Sequence, residues 1–201
     1  MIRLRHYPVI NVFFHLMALL PLVWLVYALN FDKLSADPAK DIQHFTGITA
    51  LRLLILIAVI PAVAHYLKWN SLYQTRKLLG LWCFVWATLH LTSYLFFEIG
   101  VNNIALFFSE IISRFYLMLG TTGWIILFLM AASSFNPVRI RLGDRWKRIH
   151  SLLYPLLLIA ILHYILSVKT NTPEPVFYLV LIISAYLHRF RQQRKIRSTG
   201  I

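Results

Sequence analysis

Long apolar stretches separated by short polar segments organise this chain. They run over about 9–29, 48–67, 78–97, 116–135, 149–168 and 173–190. A helix rising 1.5 Å per residue needs about 20 apolar residues to cross a bilayer's hydrocarbon layer. The first five runs satisfy this. The sixth is weaker, because its apolar centre, Val176–Leu187, is only 12 residues long. It becomes a span with Phe177, Tyr178 and Tyr186 as interfacial anchors. The pattern predicts an all-α membrane protein: a single domain over 1–201, folded as a six-transmembrane-helix bundle.

The loops orient it. Fifteen Lys and Arg fall in the N-terminal segment, the second and fourth loops and the C-terminal tail, against four (Lys33, Lys40, Arg114, Lys169) on the other side. Arg52 lies within a span. The positive-inside rule then places both termini in the cytoplasm. Arg3 and Arg5 ahead of the first run resemble a signal peptide's charged region. No small-residue cleavage site follows and the run reaches spanning length, so a retained first helix is expected.

Composition agrees: 59% of 201 residues are hydrophobic and 13% charged, where a soluble domain carries about 25% charged. A net charge of +13 raises nucleic acid as a partner. The basic residues, however, are split among short juxtamembrane segments, which suits anionic membrane lipid and not nucleic acid. Docking of an acidic soluble electron donor is a secondary use. Cys83 is the only cysteine, so no disulfide or iron–sulfur cluster is built within the chain, and it reads as a small buried residue. The seven glycines form no phosphate-cradling loop. Reducing equivalents must therefore come from a separate molecule.

Candidate chemistry lies in the histidines. His90 is 13 residues past Lys77 and His163 is 15 past Arg148, each roughly 20 Å from the cytoplasmic edge. Spans three and five run in the same direction, so these depths compare directly. An ionisable side chain in lipid needs a partner. Two imidazoles at one level suit the axial positions of a haem iron; interhelical hydrogen bonding is the other use. His150, 13 residues before His163, falls on loosely the same helix side at the cytoplasmic interface, where an inner haem or an electron-input site belongs. His65 or His188 lies at a level to pair with it. His15 reads as a packing or hydrogen-bonding residue, and His6 as solvated or lipid-facing. His44 stands apart on the outer side, after Asp37 as a helix N-cap and Pro38 at the first helical position. Its uses are a quinone or flavin contact, a docking face, or simply a capped interfacial helix. The rival to electron transfer is a histidine-relay proton channel or transporter using His15, His90 and His163.

Several segments carry a resemblance: Asp37-Pro-Ala-Lys-Asp-Ile-Gln-His-Phe-Thr-Gly47, Gly80-Leu-Trp-Cys-Phe-Val-Trp-Ala-Thr-Leu-His-Leu-Thr-Ser-Tyr94, Gly100-Val-Asn-Asn103, and Arg145-Trp-Lys-Arg-Ile-His150 with His163-Tyr164. Over nearly the whole chain it resembles the MsrQ (YedZ) family, haem-binding membrane subunits of bacterial methionine sulfoxide reductase systems within the ferric-reductase-like transmembrane family. The resemblance implies a multi-pass protein of the bacterial inner membrane that binds haem b, one or two, and FMN. It implies electron transfer, from the quinone pool or a cytoplasmic flavin reductase, to a periplasmic MsrP-like molybdopterin methionine sulfoxide reductase that repairs oxidised periplasmic proteins. The chain would then be the electron-transfer subunit and not the catalytic one. The family's haem histidines map onto His90, His150 and His163. The wider family carries two histidines on each of spans three and five. Here Arg76 or Lys77 occupies the inner level of span three, and Arg76 is the implied inner-haem contact.

Overall fold

A backbone in hydrocarbon must satisfy its own N–H and C=O groups, and a helix does so within one segment. The computed structural model describes residues 7–168 and 173–198, and they are helices joined by short turns. In order they are α1 (Tyr7–Asn30), α2 (Pro38–Tyr66), α3 (Leu72–Ser93), a π-helical turn (Tyr94–Ile99), α4 (Ile104–Ser113), α5 (Phe115–Ala132), α6 (Asn136–Leu142), α7 (Arg145–Ser151), α8 (Leu153–Ser167) and α9 (Glu174–Ser198). Met1–His6, with Arg3 and Arg5, lies outside the described residues, as do Lys169 and the side chain of His188.

Five stretches are long and apolar enough to cross a membrane: Val9–Asn30, Pro38–Tyr66, Leu72–Ile99, Phe115–Ala132 and Arg145–Ser167. The sixth expected run is helical, but its apolar part, Glu174–Leu187, is shorter than the other five. It is tied into the bundle where Arg52 Nε on α2 donates to Tyr178 Oη on α9 at 2.7 Å.

The fifth run departs from the expected single helix. It breaks at Leu152 between α7 and α8. Pro155 lacks an N–H, so the carbonyl one turn earlier cannot be engaged in the regular ladder, and Leu152 N–H turns instead to Ile149 O at 3.1 Å. His150 and His163 lie on either side of this one-residue interruption, within a single helical span over Arg145–Ser167. The short helices α4 and α6 and the π-turn were not expected either.

Helix α2 is the centre of the bundle. Its apolar window is 56% buried, against 11% for α1, whose Val12, Leu16, Leu20 and Val23 face outward. The most extensive helix contact joins α2 to α3, and the next joins α5 to α8. Asp37 caps α2, its carboxylate accepting Lys40 N–H at 3.1 Å, with Pro38 in the first turn as expected. Cys83 is fully buried and donates to Ala50 O. Trp86 is 1% exposed, and its Nε1–H donates to Ala18 O at 3.1 Å, one of the bonds that tie α1 to α3. Trp86→Ala removes both the buried ring and this bond. It should lower stability by about 3–5 kcal/mol, read by unfolding in detergent; a change below about 1 kcal/mol would show that α1 is held elsewhere.

Candidate functional site: a cradled histidine pair

The α2–α3 and α5–α8 helix pairs bring His90 and His163 together, as their matched depths suggested. Their ring centres lie 6.0 Å apart with the planes crossed at 76°. Each ring is anchored in the same way. His90 Nδ1 lies 2.8 Å from Gln43 O on α2, and His163 Nδ1 lies 2.7 Å from Tyr116 O on α5. A carbonyl only accepts, so each Nδ1 carries the proton. The neutral ring then presents Nε2 as a lone pair, the form a metal requires.

These carbonyls are already engaged by the helix N–H one turn on. For a ring on another helix to reach them as a further donor, the next turn must leave room beside the carbonyl. Gly47 follows Gln43 by one turn, and Gly120 follows Tyr116 by one turn. A Cβ on Gly47 would lie 3.0 Å from the His90 ring, and one on Gly120 would lie 2.8 Å from His163 Cε1. Both glycines are therefore part of the site. The histidine–carbonyl separation is 47 residues in each case, so the site is two copies of one device. The glycines were read only as failing to form a phosphate loop. This equal spacing, with glycine one turn past each carbonyl, was the signal that could have found them.

The donor set suits iron porphyrin. Two neutral imidazoles, each with its proton on Nδ1, stand with ring centres 6.0 Å apart. Ser93 and Thr92 turn their hydroxyls back onto the backbone of α3.

His150 lies apart from this pair in a different setting. Its ring packs on Trp146 with centres 4.3 Å apart, and Arg139 lies over the other partner's ring at 4.5 Å. Ser133 Oγ, whose hydroxyl donates to Met130 O, is 3.2 Å from His150 Nε2. In that arrangement Nε2 carries the proton and donates to Oγ. Arg76 and Arg139 lie within electrostatic reach of His150, so the structure does bring Arg76 to the level where it was expected. Trp146 Nε1 is buried without a hydrogen-bond acceptor. His65 packs on Tyr66.

The remaining histidines fall as follows. His15 accepts from Trp82 Nε1–H at 2.9 Å, the expected hydrogen-bonding role. His44 faces a cavity with Asp41, Arg52 and Glu174. Trp124 Nε1–H donates to Thr88 Oγ1, so this indole and those of Trp82 and Trp86 are bonded packing residues.

Comparison with known proteins adds two findings. A family model described as ferric reductase like transmembrane component matches residues 46–161. The protein-methionine-sulfoxide reductase heme-binding subunit MsrQ of Salmonella paratyphi B is 47% identical over 186 residues, 92% of this chain and 94% of the relative. The same subunits of Salmonella newport and Salmonella heidelberg match to the same extent.

The glycine cradle makes a contrast testable. Gly120→Ala should cost about 1–3 kcal/mol, because the new methyl overpacks a fixed ring. Gly80→Ala, where a Cβ meets nothing within 4 Å, should instead gain up to about 1 kcal/mol of helix propensity. Denaturant unfolding in detergent reads both; equal effects at the two positions would sink the cradle.

Proposed function

The chain belongs to the MsrQ family of ferric-reductase-like transmembrane components, and on that premise we propose that it is a b-type cytochrome of the bacterial inner membrane. The observation that carries this is the pair of opposed imidazoles, each fixed as the Nδ1–H tautomer by a helix carbonyl. His90 and His163 would hold the iron. Bound haem supplies a one-electron couple between ferric and ferrous iron. His90 and His163 would supply position and two nitrogen ligands to that iron. That suits a carrier of electrons and not the catalyst of sulfoxide reduction.

The route follows from charge. With the basic loops inside, both termini are cytoplasmic and α9 completes six spans. The His90–His163 level then lies toward the outer face, and His150 lies toward the cytoplasm. His150, with Arg76 as its neighbour, would contact a second, inner haem, and Trp146 Nε1 is a donor in want of an acceptor there. Electrons come from the quinone pool or a cytoplasmic flavin reductase. They leave to a periplasmic MsrP-like molybdopterin reductase that repairs methionine sulfoxide in oxidised proteins. FMN, implied by the resemblance, has no residue assigned to it. A proton relay through the pair is less well supported, because each Nδ1 proton is committed to a backbone carbonyl.

Purified protein should show a b-type haem spectrum. His90→Ala and His163→Ala should each remove the same haem, and His150→Ala should spare it. Pyridine haemochrome assay and redox titration distinguish the centres. If both outer variants keep full haem content, the ligand assignment is wrong.

A further inference from the structure

On the outside of the bundle, α1 and α3 leave a cleft of about 430 Å³ between them, within the range of ligand sites, ~300–1,000 Å³. The two helices run in parallel, because Trp82 reaches His15 and, one turn on, Trp86 reaches Ala18. The cleft changes character along that shared direction. Gln74 and Lys77 stand where α3 begins. Leu78, Leu81 and Val85 follow as an apolar strip, on one face of α3 by their spacing of three and four residues. From Gln74 to Val85 the cleft follows about 16 Å of helix.

From α1 the cleft takes Asn11 and His15, one turn apart and both exposed. His15 lies within the apolar stretch Val9–Asn30, where a polar group facing lipid is costly without a partner. Its Nδ1 accepts Trp82 Nε1–H at 2.9 Å, so the neutral ring carries its proton on Nε2 and has that N–H left to donate. The Asn11 and Gln74 amides and the Lys77 ammonium are donors as well. No carboxylate on these helices answers them, since the sequence has no Asp or Glu over 1–31 or 42–97. The cleft therefore calls for oxygen acceptors and negative charge at one end and hydrocarbon at the other. A soluble anion would leave the apolar strip uncovered. A zwitterionic lipid would bring an ammonium for which no acid is at hand.

We propose that the α1–α3 cleft is a binding site for one anionic phospholipid of the cytoplasmic leaflet. Its phosphate lies against Lys77 and Gln74. Its ester carbonyls accept from the Asn11 amide and His15 Nε2–H, and one acyl chain follows Leu78, Leu81 and Val85. A basic pocket between spans on the cytoplasmic side is the setting in which such head groups are held. The leaflet follows from the orientation proposed above, and the site itself requires no haem. The lipid fills the seam that joins α1, only 11% buried over its apolar window, to the rest of the bundle.

The test is native mass spectrometry of the full-length protein, titrated in detergent with phosphatidylglycerol or with phosphatidylcholine of the same chains. It resolves each bound lipid and reads haem content in the same spectrum, so the lipid result stands or falls apart from the cytochrome reading. The first phosphatidylglycerol should bind more tightly than the first phosphatidylcholine. Lys77→Gln should weaken it about fivefold, and Lys77→Arg should keep it. Lys68→Gln removes a charge near the start of α3 but outside the cleft, and should change it less than about twofold. Val85→Trp, at an exposed position on the apolar strip, should weaken binding of both lipids. Equal affinity for the two lipids overturns the proposal. Equal losses at Lys68 and Lys77 also overturn it, because they reduce the effect to general surface attraction, and so does binding that ignores Val85→Trp.

Discussion

The arrangement depends on one hydrogen bond made twice: an imidazole Nδ1–H donated to a helix carbonyl that already has a helical partner. A ring from another helix lies against that carbonyl only where no Cβ crowds it, which is the space Gly47 and Gly120 leave. The bond does three things at once. It offsets the cost of a buried polar group in hydrocarbon, selects the tautomer that exposes Nε2, and fixes the distance between the two helices it joins. Because the glycine lets the ring lie against the helix, α2 and α3 approach closely, as do α5 and α8. The core of α2 and the buried Leu156, Leu157 and Ile161 of α8 pack around the pair thus set.

The other end of the bundle follows different rules. Among the described residues His150 has no glycine cradle and no carbonyl holding Nδ1; it leans on Trp146 and Ser133, with Arg76 and Arg139 within electrostatic reach. On the α7 side of the interruption at Leu152, His150 belongs to a charged, aromatic cluster with Trp146, Arg139 and Arg76. A centre there would differ from the outer one in charge and solvation, two of the levers that set a reduction potential.

Much of this was legible in the sequence. Hydropathy located the five helices long and apolar enough to cross a membrane, because a bilayer allows few alternatives. Depth counting matched His90 to His163 because parallel helices share one rise per residue. Asp37 before Pro38 marked the start of α2 because a cap is local chemistry. The glycines were not recognised, since their role appears only when a ring from another helix lies against them. The break at Leu152 follows from Pro155, but a hydropathy window cannot register it. The cavity beside His44 joins residues from α1, α2 and α9, and no single stretch of chain displays it.

The central proposal is that His90 and His163 would together hold one haem iron. Low-temperature electron paramagnetic resonance of the oxidised protein tests it most directly. Two axial imidazoles give a low-spin ferric signal, and planes crossed at 76° make it strongly anisotropic; either single histidine-to-alanine variant should abolish it. A high-spin, five-coordinate signal in the parent protein, or a low-spin signal that survives both substitutions, would contradict the account.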